Sequence, residues 1–185
     1  DLFLALAEQA GLEAAMVSGY GKGYGYQPGD NFSGPSNHAW NAVLINGSWY
    51  LVDCTWGAGY VSGEGKFVRH FDDHYFMTPP AQFIYDHLPE EERWQLLDSP
   101  ITEEQFESLP YLESDFFSLG LSAAGLPQGV VKAGGRANIS IQAPEDVLMT
   151  AGLEYAGAAG GRPDLDRRTF CQRNGSSYEI LTQFP

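Results

Sequence analysis

The sequence is poor in positive charge. Ten Lys and Arg residues stand against 24 Asp and Glu residues, which gives a formal net charge of −14 over 185 residues. The imbalance lies in residues 1–118, which hold 18 acidic and 4 basic side chains, whereas residues 119–185 hold 6 of each. Nucleic acids and anionic membranes are bound through basic surfaces, so we expect neither as a partner. The abrupt change also predicts two units, 1–118 and 119–185.

Cysteine and long apolar runs are also scarce. Two cysteines, Cys54 and Cys171, exclude a disulfide scaffold and leave the redox compartment open. No apolar run approaches the length of about 18 residues that a membrane-spanning helix needs. Hydrophobic residues nevertheless make up 43% of the chain. We therefore expect a soluble protein with a conventional buried core.

The most informative stretch runs from His38 to Asp53. Two runs rich in aliphatic and aromatic residues flank Asn46-Gly47, the dipeptide most typical of a type I′ turn, in which both central residues need positive φ. In the resulting hairpin, His38 and Asp53 share one face as diagonal neighbours, with Cα atoms about 7–8 Å apart. We therefore predict an imidazole–carboxylate contact. The predicted register pairs Ile45 with Ser48, Leu44 with Trp49, Ala42 with Leu51 and Trp40 with Asp53.

Such a pair has two interpretations. It is either a structural hydrogen bond or the base and orienting acid of a hydrolytic site, which needs a Cys or Ser at the other ring nitrogen. Cys54 follows Asp53 directly, but strand alternation puts it on the opposite face, away from His38. We interpret Cys54 as a small buried core residue and Cys171 as structural. The sequence thus offers no convincing nucleophile.

Two other motifs superficially resemble a phosphate-binding loop and a zinc site, and we predict neither site. Glycine occupies every second position from Gly19 to Gly25 and returns at Gly29, which predicts a loop, but no helix follows to supply the amides of a phosphate-binding loop. Tyrosines of this loop either line a peptide-binding cleft or pack at the surface. On a strand predicted over 67–77, His70 and His74 share a face, but zinc needs more ligands. We predict no metal and no cofactor.

The remaining patterns describe a scaffold. A helix tail is predicted before Gly11, a strand over 14–19 and a short helix beginning near Pro89. Thr102-x-x-Gln105 is typical of a capping box, followed by a helix that ends before Pro110. Beyond residue 119, short β segments separated by glycine-rich turns predict a β-sandwich-like module. Its strands are predicted at 137–141, 148–155 and 178–181.

Taken together, these motifs resemble one family. Asn37-His38-Ala39-Trp40-Asn41 and Val52-Asp53-x-Thr55-Trp56-Gly57-Ala58-Gly59 are similar to the core of the kyphoscoliosis peptidase and hillarin-like proteins, in the transglutaminase-like (papain-like) cysteine peptidase superfamily. The similarity extends through Tyr75-Phe76-Met77-Thr78-Pro79-Pro80, Ile84-x-x-His87-Leu88-Pro89, Trp94-Gln95-Leu96-Leu97 and Phe106-x-x-Leu109-Pro110. It covers about residues 1–120 strongly and the rest weakly.

The resemblance implies a fold and a function. The fold is α+β: a transglutaminase-like core with an antiparallel sheet, then a partial β-sandwich-like module. In the family the triad is Cys–His–Asp, so His38 and Asp53 are the candidate catalytic residues, and the nucleophile is expected a few residues before Asp1, which would leave these 185 residues inactive alone. The implied activity is that of a cysteine peptidase or protein-glutamine acyltransferase on protein or peptide substrates. The alternative is a non-catalytic scaffold that binds cytoskeletal proteins in the cytoplasm.

Overall fold

The computed structural model describes residues 2–126, 128–153 and 168–183. These residues form short helices and antiparallel strands. The mixed helix-and-sheet class is confirmed; the papain-like arrangement of the core stays a prediction. The chain divides into two compact units, Asp1–Ser114 and Asp115–Pro185. Within the described ranges, no helix is both long and apolar enough to cross a membrane.

Helix α1 (Leu2–Gln9) ends at a glycine, as predicted. Gly11 has a φ of 72°, a left-handed conformation in which L-residues with a side chain are strained. The Leu12 N–H donates to the Ala7 carbonyl at 2.9 Å and closes the turn. The chain then enters strand β1 (Glu13–Gly21), and α1 packs against this strand.

The first unit is built on a five-stranded antiparallel sheet of order β6-β3-β2-β1-β7. Strand β1 continues two residues beyond Gly19, so the predicted loop begins later than expected. The other strands are β2 (His38–Ile45), β3 (Ser48–Val52), β6 (Phe76–Thr78) and β7 (His87–Pro89). The core residues Val17, Trp40, Leu51 and Phe83 pack together beneath them.

The strand predicted over 67–77 is wrong. Strands β4 (Gly59–Val61) and β5 (Phe67–Arg69) form a separate two-stranded sheet, and a 3₁₀ turn at Asp73–Tyr75 precedes β6. The Asp72 carboxylate accepts a hydrogen bond from the His74 N–H and caps that turn. A local cap therefore outweighs the β propensity of the flanking aromatic residues.

The short helices follow the predicted caps in part. Helix α2 (Pro80–Phe83) begins with proline, and α3 (Glu103–Ser108) carries the predicted capping box between Thr102 and Gln105. The short helix predicted to begin near Pro89 begins later, as a 3₁₀ helix at Glu92–Gln95, because His87–Pro89 forms strand β7.

Helix α4 (Ser114–Ser118) precedes a second sheet, which is antiparallel and has the order β10-β11-β9-β8. Its strands are β8 (Ser122–Gly125), β9 (Arg136–Gln142), β10 (Thr169–Asn174) and β11 (Ser177–Gln183). The strands predicted at 137–141 and 178–181 are confirmed. Residues 148–153 are not a strand, and residues 154–155 of that prediction lie outside the described residues.

Candidate catalytic site

The His38–Asp53 hairpin has the predicted turn. Asn46 and Gly47 have φ values of 52° and 82°, as a type I′ turn requires. Strands β2 and β3 pair Ile45 with Ser48, Leu44 with Trp49 and Ala42 with Leu51. This register brings the first residue of β2 and the residue after β3 to the same end of the sheet.

His38 and Asp53 contact each other there. The distance from His38 Nε2 to Asp53 Oδ2 is 2.6 Å, which confirms the predicted contact. The Asp53 carboxylate is completely buried, whereas His38 retains 14% of its side-chain exposure. Asp53 Oδ1 accepts hydrogen bonds from the backbone N–H groups of Thr55 and Trp56, at 2.7 and 3.0 Å. Both carboxylate oxygens are therefore held.

A second imidazole, which the sequence interpretation missed as a site residue, completes the arrangement. His87 lies on β7, where it pairs with Gly21 of β1. Its Nε2 lies 3.0 Å from Asp53 Oδ2, and its Nδ1 lies 2.6 Å from Asp86 Oδ1. The Tyr75 hydroxyl donates to Asp86 Oδ2 at 3.1 Å. A charged Asp86-His87 pair within an apolar run was the signal that could have marked it.

Burial and charge act in opposite directions in this cluster. Burial raises the pKa of Asp53, but hydrogen bonds and the charges of His38 and His87 outweigh it and hold that pKa well below its usual range. Burial lowers the pKa of His87, but Asp86 and Asp53 outweigh it and raise the pKa to about 9. His87 is therefore an imidazolium at neutral pH, and it donates to a carboxylate from each ring nitrogen.

Aromatic rings enclose the two imidazoles. Phe83 stacks on His87 with ring centroids 4.0 Å apart, and Trp56 lies 4.4 Å from His87 and 5.2 Å from His38. Trp40 meets His87 edge-on at 5.0 Å. These rings limit the access of water to the buried side of His38.

Glycine allows this close packing. A Cβ atom on Gly21 would lie 3.2 Å from both His38 Cβ and Trp56 Cζ2, and one on Gly23 would lie 3.0 Å from Trp56 Cζ2. Such distances are shorter than ordinary van der Waals contacts. The alternating glycines thus leave room for the His38 and Trp56 rings at the end of β1.

His38 opens into a cleft of about 610 Å³. The cleft is lined by Asp30, Asn37 and Trp56, and otherwise by residues from the end of β1 and the segment after it, mostly glycine and aromatic: Gly21, Gly23, Tyr24, Gly25, Tyr26, Asn31 and Phe32. Of the tyrosines predicted to line a cleft or to pack at the surface, Tyr24 and Tyr26 line this cleft, whereas Tyr20 lies in β1 and packs against Phe32.

The structure corrects the prediction for Cys54, which is exposed and not a buried core residue. The strand ends at Val52, so the alternation that predicted burial no longer applies at position 54. Partial desolvation and the charge of Asp53 raise the pKa of the Cys54 thiol, which disfavours a thiolate. Cys54 lines a different depression, with Phe67 and Phe76. Cys171 is half-buried in the second unit.

One trio of side chains is close enough to hold a metal ion. Among the described residues, ligand atoms of His38, Asp53 and His87 lie within 4.8 Å of one another. However, both imidazoles already contact one Asp53 oxygen at 2.6 and 3.0 Å, which is hydrogen-bond geometry. A protonated His87 also opposes a cation, because a metal ligand must be deprotonated. The donor set therefore fits a proton network better than a metal.

Comparisons with known proteins agree with the sequence motifs. Residues 1–54 match the family model of the transglutaminase-like superfamily, and residues 103–185 match that of the KY-like, immunoglobulin-like domain. The chain is 42% identical to kyphoscoliosis peptidase of Mus musculus over 150 residues, which cover 80% of this chain and 23% of that protein. It is 41% identical to hillarin of Drosophila melanogaster over 169 residues, covering 83% of this chain and 21% of hillarin.

A third relative is the Lim and transglutaminase domain protein ltd-1 of Caenorhabditis elegans, which is 39% identical over 132 residues and covers 65% of this chain and 18% of that protein. The chain thus spans about a fifth of the length of the curated relatives it matches. The predicted resemblance is confirmed: over most of its length, the chain is homologous to kyphoscoliosis peptidase and hillarin.

Proposed function

We propose that this chain, a homologue of kyphoscoliosis peptidase and hillarin, supplies the histidine and aspartate of a Cys–His–Asp acyl-transfer site that acts on protein or peptide substrates. The observation that carries the proposal is the contact between His38 Nε2 and Asp53 Oδ2 at 2.6 Å. If His38 donates from Nε2, its Nδ1 is the nitrogen that accepts a proton. Within the described residues, no hydrogen bond engages His38 Nδ1.

The chemistry would proceed in two steps. A thiol gives its proton to His38 Nδ1, and the thiolate attacks the substrate carbonyl carbon. The amide C–N bond then breaks, the leaving amine takes the proton from His38, and a thioester remains. Water resolves the thioester in a peptidase and a second amine resolves it in an acyltransferase. Asp53 holds the His38 tautomer and stabilises the imidazolium throughout.

The direction of α1 supports a nucleophile near the start of that helix. The chain turns at Gly11, and α1 contacts β1 and β2; we propose that the helix runs back along the sheet, toward the end where His38 pairs with Gly19. From Glu13 to Gly19, a strand rises about 20 Å at 3.3 Å per residue. A helix needs about 13 residues to cover that distance at 1.5 Å per residue, and α1 has 8. A thiol a few residues before Leu2 would therefore lie level with His38.

The cleft beside His38 supports a peptide substrate. Its aromatic rings offer apolar contact area, and Asn37 donates to and accepts from the backbone of Gly21, which fixes one wall. The lining holds one carboxylate, Asp30, and no Lys or Arg. With the acidity of residues 1–118, this favours neutral or basic peptides over acidic ones.

A labelling experiment tests the proposal. A form of the protein that includes the residues preceding Asp1 in its gene product is treated with a thiol-reactive peptide electrophile, and the modified residue is mapped by mass spectrometry. We expect rapid labelling of one cysteine before α1, lost in His38→Ala. The matched control is His70→Ala, because His70 is exposed and lies outside the cluster. Slow labelling that is equal in all three proteins would contradict the proposal.

The second candidate function is a non-catalytic module that binds proteins, including those of the cytoskeleton. The observation that favours it is the position of the two cysteines, since neither Cys54 nor Cys171 lines the cleft at His38. The labelling experiment separates the two candidates. A residue other than cysteine at the start of the helix would favour the binding module.

A further inference from the structure

Asp53 has a neighbour on its buried side that the triad chemistry does not require. His87 is fully buried and contacts carboxylates through both ring nitrogens, Asp53 at 3.0 Å and Asp86 at 2.6 Å. Tyr75 donates to the far oxygen of Asp86 at 3.1 Å and ends the chain of contacts. Burying three ionisable groups is costly unless they are paired and hydrogen-bonded, and here each one is.

We propose that His87 is a positioning residue of the site: as a buried imidazolium held by Asp86, it fixes the Asp53 carboxylate in the orientation that receives the His38 Nε2–H. Only the effect of this positioning on acyl transfer rests on the proposed function. The positioning itself is a property of the 185 residues and can be tested without a nucleophile.

The contacts of the Asp53 carboxylate support this role. Its Oδ1 is held by the Thr55 and Trp56 N–H groups. Its Oδ2 receives both imidazoles, at 2.6 Å from His38 and at 3.0 Å from His87. His38 is partly exposed and adjoins the cleft, whereas His87 is rigidly enclosed. We infer that the fully enclosed imidazole of His87 sets the position of Oδ2, and that the more exposed imidazole of His38 takes its orientation from it.

The surroundings fix the position and the charge of His87. Phe83 stacks on one side at 4.0 Å, with Trp56 at 4.4 Å and Trp40 edge-on at 5.0 Å. The titratable groups that face His87 from the packed elements are Asp53, Asp86, His38, Tyr75 and His74. The two carboxylates touch its nitrogens directly and outweigh the effect of burial, so His87 remains protonated to about pH 9.

A purely structural role for His87 predicts a different result from a positioning role. In the structural case, a folded variant without His87 keeps the His38 Nε2–H donated to Asp53 with unchanged strength. In the positioning case, the carboxylate loses its fixed partner, and the His38 Nε2–H exchanges with water more rapidly even though the fold is intact.

Histidine side-chain NMR of the 185-residue protein, with ¹⁵N-labelled histidine, tests the proposal. In the wild type at neutral pH, we expect to observe NMR signals of the His38 Nε2–H and of both ring N–H groups of His87. In His87→Gln, we expect exchange of the His38 Nε2–H to accelerate at least about tenfold, the factor that corresponds to the weaker hydrogen bonds to a charged group. The control His70→Gln removes an exposed histidine and should leave this exchange rate unchanged.

Two milder variants keep the test decisive if His87→Gln does not fold. Asp86→Asn keeps the imidazole but removes its charged partner, so the pH at which His87 loses its proton should fall below about 9, and exchange of the His38 Nε2–H should accelerate by a smaller factor. Tyr75→Phe removes the hydroxyl that donates to Asp86 but keeps both carboxylates, so Asp86 is held less firmly and exchange of the His38 Nε2–H should again accelerate by a smaller factor. Unchanged exchange at His38 in any folded variant that has lost the His87 charge would overturn the proposal.

Thiol labelling of the longer protein distinguishes this inference from the proposed function. If both hold, labelling is slower in His87→Gln than in His70→Gln. If no thiol is labelled in any variant, the acyl-transfer function fails, while the NMR result still decides the positioning role. If labelling occurs and neither labelling nor exchange depends on His87, the positioning role alone fails.

Discussion

Gly19 lies directly beneath the indole of Trp40, so that a Cβ atom at position 19 would come within 2.5 Å of Trp40 Cη2. The same atom would also collide with the carbonyl oxygen of Leu88 and would lie 2.8 Å from Pro89 Cα. Trp40 is buried in the core of the first unit, and Leu88 and Pro89 belong to β7. The absence of a side chain at Gly19 therefore allows β7 to pair with β1 while Trp40 packs over it.

Gly19→Ala should destabilise the first unit by about 1–3 kcal/mol, the usual cost of overpacking a buried position. All four tryptophans lie in the first unit, so urea unfolding followed by tryptophan fluorescence measures that unit alone. Gly63→Ala is the control, since a Cβ there meets no atom within 4 Å. Equal stability of the two variants would contradict the close packing at Gly19.

Gly23→Ala should displace the Trp56 ring with little loss of stability, about 1 kcal/mol or less. The added Cβ would lie 3.0 Å from Trp56 Cζ2, and Trp56 stacks on His38 at 5.2 Å. The ring signals of His38 in an NMR spectrum should therefore shift, whereas those of His70 should not. Unchanged His38 signals would show that Trp56 moves away without affecting the imidazole.

His87 should make stability fall as the pH rises. Its folded pKa of about 9 lies above the ordinary value of 6.5, so its contribution is complete below pH 6.5 and disappears as the pH rises through 9. The maximum slope is about 1.4 kcal/mol per pH unit. Urea midpoints across this range should fall in the wild type and in His70→Gln. The curve of His87→Gln should lack this component, and parallel curves for all three proteins would count against a buried imidazolium.

Lys22 should act in the opposite direction at higher pH. Its ammonium group is fully buried and donates to the carbonyls of Phe106 and Leu109 at 2.8 and 3.2 Å. Burial outweighs the attraction of Asp86 and Glu107 and lowers the pKa of Lys22 from 10.5 to about 8. Between these two values the unfolded chain binds the additional proton, so stability gains a component that increases with pH.

The variant Lys22→Met, which has a side chain of similar length without the charge, should lack this rise. The measurement is the difference in unfolding free energy between wild type and Lys22→Met as the pH increases from 8 to 10.5. Lys66→Met is the matched control, because the Lys66 side chain is 76% exposed. A constant difference across that range would indicate that Lys22 keeps an ordinary pKa in the folded protein.

The hairpin was predictable because its determinants are local. Asn46-Gly47 specifies the turn, and the alternation of the flanking residues then determines which side chains share a face. The contact between His38 and Asp53 follows from that register. The capping box at Thr102 was predictable for the same reason, since the two residues that form it are three positions apart.

His87 was not predictable in this way. It lies 34 residues after Asp53, and only the pairing of β7 with β1 brings the two together. Strand order depends on long-range packing, which single-sequence patterns do not encode. The strand wrongly predicted over 67–77 has a related cause, since the Asp72 cap interrupts a segment whose composition favours a strand.

The buried contacts from Asp53 through His87 to Asp86 also determine the net charge beside His38 before any substrate binds. Two carboxylates, Asp53 and Asp86, enclose one imidazolium, His87, which leaves a single negative charge on the inner side of His38. A proton on His38 neutralises the cluster, and its departure restores the charge. Each proton transfer to or from His38 therefore changes the net charge of the four side chains between 0 and −1. When that charge is −1, the cleft wall, which carries no Lys or Arg, repels an anion; when it is 0, this repulsion is lost.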